Sequence, residues 1–496
     1  MRFFFLLYAF ILFGALHMNV SGREHDSSEI AKLRKFLLQE SAEDGIKNYQ
    51  QLGLSQMDSV DWLKVPGLSW NNQSYLLERV NWANRKLSGH LDLSGFSALK
   101  YLYCSYNSIQ SVDLTDSPAL LQFDLYENNL EAMDVTTNPK VNYIRVGYND
   151  IKEIDLSATP ELAFLCCTKN QVERLDLSNK EKLHTLYCVE NNLTSLTIEN
   201  CTSLKEVLCG SNQLTALNLY NLPSLISFSC ILNGLTELNL YNCVSLKELL
   251  CNNNNLSSLD LSSCKNLTTL NCSSNALTSL KIEACDQLIS LSCENNLLDL
   301  LIVPENASLS TLSCGSNRLS FLTLPPVTES LTSYSYAPQG YVALECRYDS
   351  IDLSSFYLVD DDITNYVWYY KNTTISPVEE NEGVFAFDDS YVGETFICRA
   401  QNAAFPKLVM HYDVALMEND IVGNVSPEKA ISSIYASEGF IHIVTAAVSV
   451  NVKIYTMQGV LMMMKHVGEG RTDIPIERGM YVVVVNDHDI SRLIVR

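Results

Sequence analysis

Apolar residues recur through the middle of the chain on a fixed beat, and asparagine marks the beat. Asn107, Asn128, Asn149, Asn170, Asn191, Asn212, Asn233, Asn254, Asn275, Asn296 and Asn317 follow one another at intervals of 21. Three residues before each stands Cys104, Leu125, Val146, Cys167, Cys188, Cys209, Cys230, Cys251, Cys272, Cys293 or Cys314. Two residues after each stands an apolar side chain such as Ile109, Leu130 or Leu193. The units LYCSYNSIQSVDLTDSPALLQ and LNCSSNALTSLKIEACDQLIS share the template LxxLxCxxNxLxxLDL. No unit can bury its own leucines, but stacked units bury them between neighbours and share a one-dimensional core. The segment around each Cys alternates apolar and polar, which predicts a short parallel strand. Strands about 4.8 Å apart then build a curved sheet roughly 50 Å along the array. The Asn amides are expected to satisfy backbone groups where the chain leaves the sheet.

The pattern changes on both sides of the repeats. Val80-Asn81-Trp82 through Leu93 reads as a degenerate first repeat with one extra residue. Residues 23–76, including IAKLRKFLLQE, have helical apolar spacing and predict a small N-terminal cap over the open end of a solenoid at 77–325. After Pro325-Pro326 the period stops, and short alternating runs predict a β-sandwich at 326–418. The runs SEGFIHIVTAA, VNVKIYTMQGVLMMMK, GMYVVVV and SRLIVR predict a second all-β sandwich, with its linker, at 419–496.

Composition narrows the partners. The 496 residues carry a net charge of −23, with 47% hydrophobic and 18% charged residues. That balance is globular rather than disordered, and an acidic surface repels nucleic acid and anionic membranes. The opening MRFFFLLYAFILFGALHMNVSG has a charged Arg2, an apolar run from Phe3 to Leu16, and small residues at Val20 and Gly22. It predicts a secretory signal peptide at 1–22, and no later stretch is expected to span a membrane.

The cysteines repeat as well. Nine form the ladder above, and Cys201, Cys243, Cys264 and Cys285 form a second, with Leu222 in the same register. Side chains one strand spacing apart and pointing the same way lie slightly beyond disulfide range, so both ladders are expected to be free, buried thiols. Neither ladder includes His or a CxxC pair, and no metal is expected there. Asp113, Asp134, Asp155, Asp176 and Asp260 recur in the LDL motif, but one carboxylate per turn ordinarily stays solvated. No HExxH, GxSxG, Walker A or GxGxxG motif occurs, so neither a catalytic residue nor a cofactor is expected, and a hydrolase is the least favoured reading.

Function on a solenoid lies in the outward positions of its sheet. There the register places Tyr101, Tyr103, Tyr106, Tyr126, Tyr143, Tyr148, Phe164 and Tyr187, all within the first five repeats, with Asp124, Glu127 and Arg145 among them. The last three repeats present Ser, Thr and Asn instead. Exposed aromatics with polar tips serve interfaces and sugar platforms, so a ligand-binding site is expected on the concave face of repeats one to five. Stacking of neighbouring tyrosines for stability alone is the competing reading.

The repeats resemble the cysteine-type 21-residue leucine-rich repeats of internalin J-like surface proteins. The region with Cys346, Trp368 and Cys398, and ETFICRAQN around the last, resembles an immunoglobulin-like domain, which implies a Cys346–Cys398 disulfide beneath the Trp. Phe396 departs from that pattern, where Tyr is usual. The terminus, through VKIYTMQG, Gly479-Met480-Tyr481 and Arg496, resembles the C-terminal sorting domain of type IX secretion cargo of Bacteroidota. Thr456, Val460 and Arg492 depart from its usual residues. Together these resemblances imply a secreted adhesin-type protein on the bacterial outer surface. It would bind a protein or glycan on host or neighbouring cells, and its other partner would be the type IX secretion machinery. A structural surface stalk is the alternative.

Overall fold

A computed structural model describes residues 26–304, 306–347, 350–417 and the strands within 431–495; the connections at 438–439, 446–449, 457–460, 468–469, 477–478 and 486–488 are excluded. The expected signal peptide lies outside the described residues, as does the start of the expected linker at 419. None of the described helices is long and apolar enough to cross a membrane. The chain divides into two compact units, Met1–Asn233 and Gly234–Arg496.

The first unit opens with helix α1, Ser27–Leu37. Asp26 caps it by accepting from the Ser28 and Glu29 amides, and Leu33, Phe36 and Leu37 are buried. Phe36 stacks on Trp82 at 5.8 Å, which joins the cap to the first turn of the solenoid. The cap is only partly helical: a four-residue helix at Asn48–Gln51, a 3-10 turn at Trp62–Lys64 and a strand at Leu68–Trp70 complete it. That strand runs antiparallel to Leu77–Asn81 and covers the open edge of the sheet, which would otherwise present unpaired amides. Gly67 makes the approach possible, because its φ is +80° and a Cβ there would lie 2.0 Å from the Asn81 carbonyl oxygen.

Leu77–Asn81 then begins a parallel series: Tyr101–Tyr103, Gln122–Asp124, Tyr143–Arg145, Phe164–Cys166, Thr185–Tyr187, Glu206–Leu208 and Ser227–Ser229. Each strand ends at the residue before the ladder Cys position, so the ladders line the exit from the sheet rather than its middle. The ladder Asn side chains bridge turns. Asn149, for example, donates from Nδ2 to the carbonyls of Leu125 (3.0 Å) and Val146 (3.0 Å), and its Oδ1 accepts from the Leu130 amide at 2.9 Å. The same three-way bridge recurs from Asn128 to Asn233 and again from Asn275 to Asn317. The LDL acids do an equivalent job on the opposite turn. Asp113, Asp134, Asp155, Asp176 and Asp260 each accept from the amide two residues on.

In the second unit the parallel series runs Glu248–Leu250, Thr269–Asn271, Ser290–Ser292, Thr311–Ser313 and Ser333–Ser335. The last strand lies beyond the expected boundary at 325. Tyr336, buried, takes the ladder Cys position, and Gln339 replaces the Asn. Gln339 donates to the Cys314 and Tyr336 carbonyls and accepts from the Asn317 and Leu319 amides.

A five-stranded sheet follows, in the order Val342–Arg347, Val409–Met417, Thr395–Gln401, Asn365–Tyr370, Thr373–Ile375, with Ser350–Asp352, Val384–Ala386 and Glu379–Asn381 in a second sheet. Trp368 is buried among Phe385, Phe387 and Phe396 and sits opposite Cys398. The implied Cys346–Cys398 disulfide is overturned. Cys398 is a free, buried thiol, and both residues belong to the same sheet, on either side of Val409–Met417. Cys346 lies opposite Leu416 and Cys398 opposite Tyr412. Those backbones are therefore about 13 Å apart along the strands and about 10 Å across them, well outside the roughly 7 Å a disulfide tolerates. The first Cys of the motif falls on a strand of the wrong sheet.

The C-terminal strands form a three-stranded sheet (Ile431–Ser437, Phe440–Thr445, Gly470–Pro475) and a four-stranded one (Leu461–Val467, Val450–Thr456, Gly479–Val485, Asp489–Val495). Ile441, Ile443, Val452, Ile454, Val467, Ile474 and Val483 make the core.

All solenoid cysteines are free and buried. Burial pushes thiols such as Cys209 and Cys251 up to about 12, so they are neutral and unreactive at physiological pH. Iodoacetamide at pH 8 is expected to leave the ladder cysteines unmodified in the folded chain. Unfolding in guanidinium without reductant should make them all available. Mass spectrometry that found a ladder cysteine oxidised or alkylated in the native state would contradict this.

Candidate functional site

Seven of the ten expected ligand-binding residues stand on strands of the first unit's sheet, and Tyr106, Tyr126 and Tyr148 follow at the exit from it. The strands alternate inward Leu102, Phe123, Ile144, Leu165 and Leu186, all buried, with outward side chains. Phe164 stacks on Tyr143 at 4.4 Å, with ring planes 9° apart, and meets Tyr187 edge-on at 5.7 Å. Tyr101 and Tyr103 lie 6.3 Å apart beneath the Arg79 guanidinium, 4.7 and 5.8 Å from its carbon. Tyr103 donates to Gln122 and Tyr187 to Glu206.

The exit from the sheet carries a second cluster. Tyr126 sits between Tyr106 at 5.6 Å and Tyr148 at 4.9 Å. Its ring occupies the space over Gly147, where a Cβ would come within 2.9 Å. Arg145 lies 3.8 Å from the same ring and pairs with Asp124 at 2.9 Å, while the Lys169 ammonium covers Tyr148 at 4.6 Å. Burial raises the Tyr126 and Tyr187 hydroxyls to about 12, helped by Tyr148 in one case and the Glu206 carboxylate in the other. Burial likewise raises Tyr103 and Tyr143. At neutral pH these groups are hydrogen-bond donors.

Two features differ from the sequence expectation. The aromatics are mostly half-buried, because they stack on one another and lie under cations; only Tyr106 (46% exposed) and Tyr148 (38%) stand clear. Arg79 and Lys169 belong to the site although the sequence reading passed over them. The register of the degenerate first repeat, Arg79 opposite Tyr101, is the signal that finds Arg79.

The backbone adds an observation invisible in the template. The residue before each ladder Asn is left-handed, with φ between +53° and +58° from Tyr106 to Ser316. In the second unit this position holds Asn253, Ser274, Asn295 and Ser316, and the left-handed sites of the opposite turn hold Gly95, Asp116, Asn179, Asn200 and Asn221. Gly, Asn and Asp are the residues such backbone favours, and Ser is at least small. In the first unit the position holds Tyr106, Glu127, Tyr148, Lys169, Glu190, Ser211 and Leu232. A bulky residue costs about 1 kcal/mol there, and the two most exposed tyrosines of the face occupy it.

No family profile matches the chain, and no curated protein does. Solved structures similar to it include the functional domain of InlJ from Listeria monocytogenes, which includes a cysteine ladder: 19% identity, 68% of this chain and 90% of that one, TM-score 0.44. An internalin, InlF, from Listeria monocytogenes shares 18% identity over 65% of this chain and 100% of that one, TM-score 0.40. YopM, a leucine-rich effector protein from Yersinia pestis, shares 26% identity over 52% and 83%, TM-score 0.38.

Proposed function

We propose that this chain is a secreted or cell-surface binding protein of the adhesin type that recognises a partner through the outer sheet face of its first five repeats. The observation that carries this reading is the cluster of Tyr106, Tyr126 and Tyr148 at the exit from the sheet, with Tyr106 and Tyr148 exposed in left-handed backbone where the second unit uses Asn or Ser. Bulky side chains held in left-handed backbone are the kind of local strain that clusters at ligand sites. Tyr and Arg dominate interface energetics, and Arg145 lies over the Tyr126 ring between the two tyrosines' turns. Export rests on the signal-like start. Attachment to a bacterial outer surface through the type IX machinery rests on the resemblance of the terminal β-sandwich, and the domain before it is read as an immunoglobulin-like spacer without its disulfide. The ring-on-ring contacts favour the second reading, a structural stalk.

Tyr106→Asn with Tyr148→Asn separates the two. Relief of backbone strain and loss of ring contacts are each about 1 kcal/mol and opposite in sign. Stability is therefore expected to stay within about 1 kcal/mol of the parent. Binding to arrayed cell-surface proteins and glycans should fall at least tenfold. A clear loss of stability with array binding unchanged would establish the stalk and dismiss the binding face.

A further inference from the structure

We infer that the segment recognised by this face is a proline-rich polypeptide in the polyproline II conformation, lying along the stack of turns. The inference rests on the binding role proposed above and names its partner's chemistry. Its first support is a period. On each of two rows of the face a pair of tyrosines stands two turns apart: Tyr101 and Tyr143 on the strands, Tyr106 and Tyr148 at the exit. Two strand spacings are about 9.6 Å, and one turn of polyproline II, three residues of about 3.1 Å, is about 9.3 Å. A ligand of that repeat meets equivalent tyrosines with equivalent faces of its helix.

The second support is shape. Tyr106 and Tyr148 stand as ridges, and the half-buried Tyr126 forms the floor between them, seated over Gly147. A notch between aromatic ridges is the form of site that takes proline rings. The third is electrostatic complementarity. Polyproline II leaves every carbonyl oxygen without an internal donor, and the notch supplies the remaining donors of the Arg145 guanidinium, which pairs with Asp124, and of Lys169, which pairs with Glu190. The occupied ring faces weigh against the alternative of a glycan. Tyr143 is covered by Phe164, Tyr126 by Arg145, and Tyr101 and Tyr103 by Arg79. A pyranose needs an open ring face to stack on, whereas a polyproline II ligand draws part of its affinity from donors to its carbonyls.

The test uses the full chain and a fluorescein-labelled decaproline, read by fluorescence anisotropy, with cellohexaose in parallel by calorimetry. Saturable decaproline binding is expected, weakened at least tenfold by Tyr106→Asn with Tyr148→Asn. Tyr220→Asn, at an exposed tyrosine of the opposite turn, should leave it unchanged. A labelled pentaproline should bind more weakly, because it spans fewer turns. Decaproline that does not saturate by millimolar chain, or binding indifferent to the tyrosine pair, overturns the inference. Cellohexaose binding that is lost in the double variant would also overturn it while leaving the binding face standing. Failure of the array experiment above would instead remove the binding face itself.

Discussion

Asn149→Leu is expected to destabilise the first unit by about 2–3 kcal/mol, although it exchanges one buried side chain for another of the same branched shape. The carboxamide is buried and serves three backbone groups: the Leu130 amide has no other acceptor in the ladder, while the Leu125 and Val146 carbonyls keep a second donor, from Asn128 and Asn170. The Leu130 amide would be left unpaired, because the chain is leaving the sheet there, and each carbonyl would be left with one donor in place of two. Each buried polar group left unsatisfied costs about 1–3 kcal/mol. The two carbonyls belong to successive turns, so the change weakens the contact between neighbours that holds a solenoid together. Chemical denaturation followed by circular dichroism gives the size. Hydrogen exchange at the Leu130 amide gives the place, and faster exchange is expected there than at Leu193, which donates to the intact Asn212. A midpoint shift corresponding to less than about 1 kcal/mol would show that the ladder decorates the turns rather than holding them.

The repeat was legible because one physical demand recurs at one spacing. Each turn leaves the sheet with the same orphaned groups, and only Asn offers a donor pair and an acceptor at that reach, so the residue is repeated and the register can be counted. The outward rows follow from that register, with seven of the ten expected residues on the strands and three at the exit. Where the demand is met by a different residue, counting fails. Gln339 does the work of Asn 22 residues after Asn317, and Tyr336 fills the Cys position, so the turn beyond 325 is hidden. Burial of the tyrosines was not legible, since it depends on which side chain lies in the next turn and whether a cation covers it. The left-handed row was hidden for a related reason: Tyr, Glu, Lys and Leu carry no signature of positive φ. The Cys346–Cys398 expectation failed because a Cys–Trp–Cys order says nothing of which sheet the first strand joins; the strand pairing places it beside Val409–Met417.

The same cap that the sequence presented as a helix carries a titratable group with a large expected effect. Glu29 lies in the first turn of α1, only 3% exposed, and accepts the Leu77 amide at 2.9 Å. Burial pushes its carboxyl from 4.5 to about 7; the Leu77 hydrogen bond opposes that, and Asp26 adds to it. A carboxyl whose folded value is raised binds its proton more tightly when folded. Its contribution is therefore fully present below the unfolded value of 4.5 and is lost as pH rises through about 7. The difference corresponds to about 3 kcal/mol, an order-of-magnitude figure at 1.36 kcal/mol per pH unit. Glu29→Gln keeps an oxygen for the Leu77 amide and cannot ionise. The variant is expected to match the parent near pH 4.5 and to exceed it above pH 7.5, by up to about 3 kcal/mol. Subtracting one stability profile from the other cancels the remaining carboxylates of this acidic chain and isolates the one site. A difference that stays flat between pH 5 and 8 would mean that the cap loosens enough to hydrate Glu29, and the fall in stability would then be sought in the detachment of α1 from Leu77 instead.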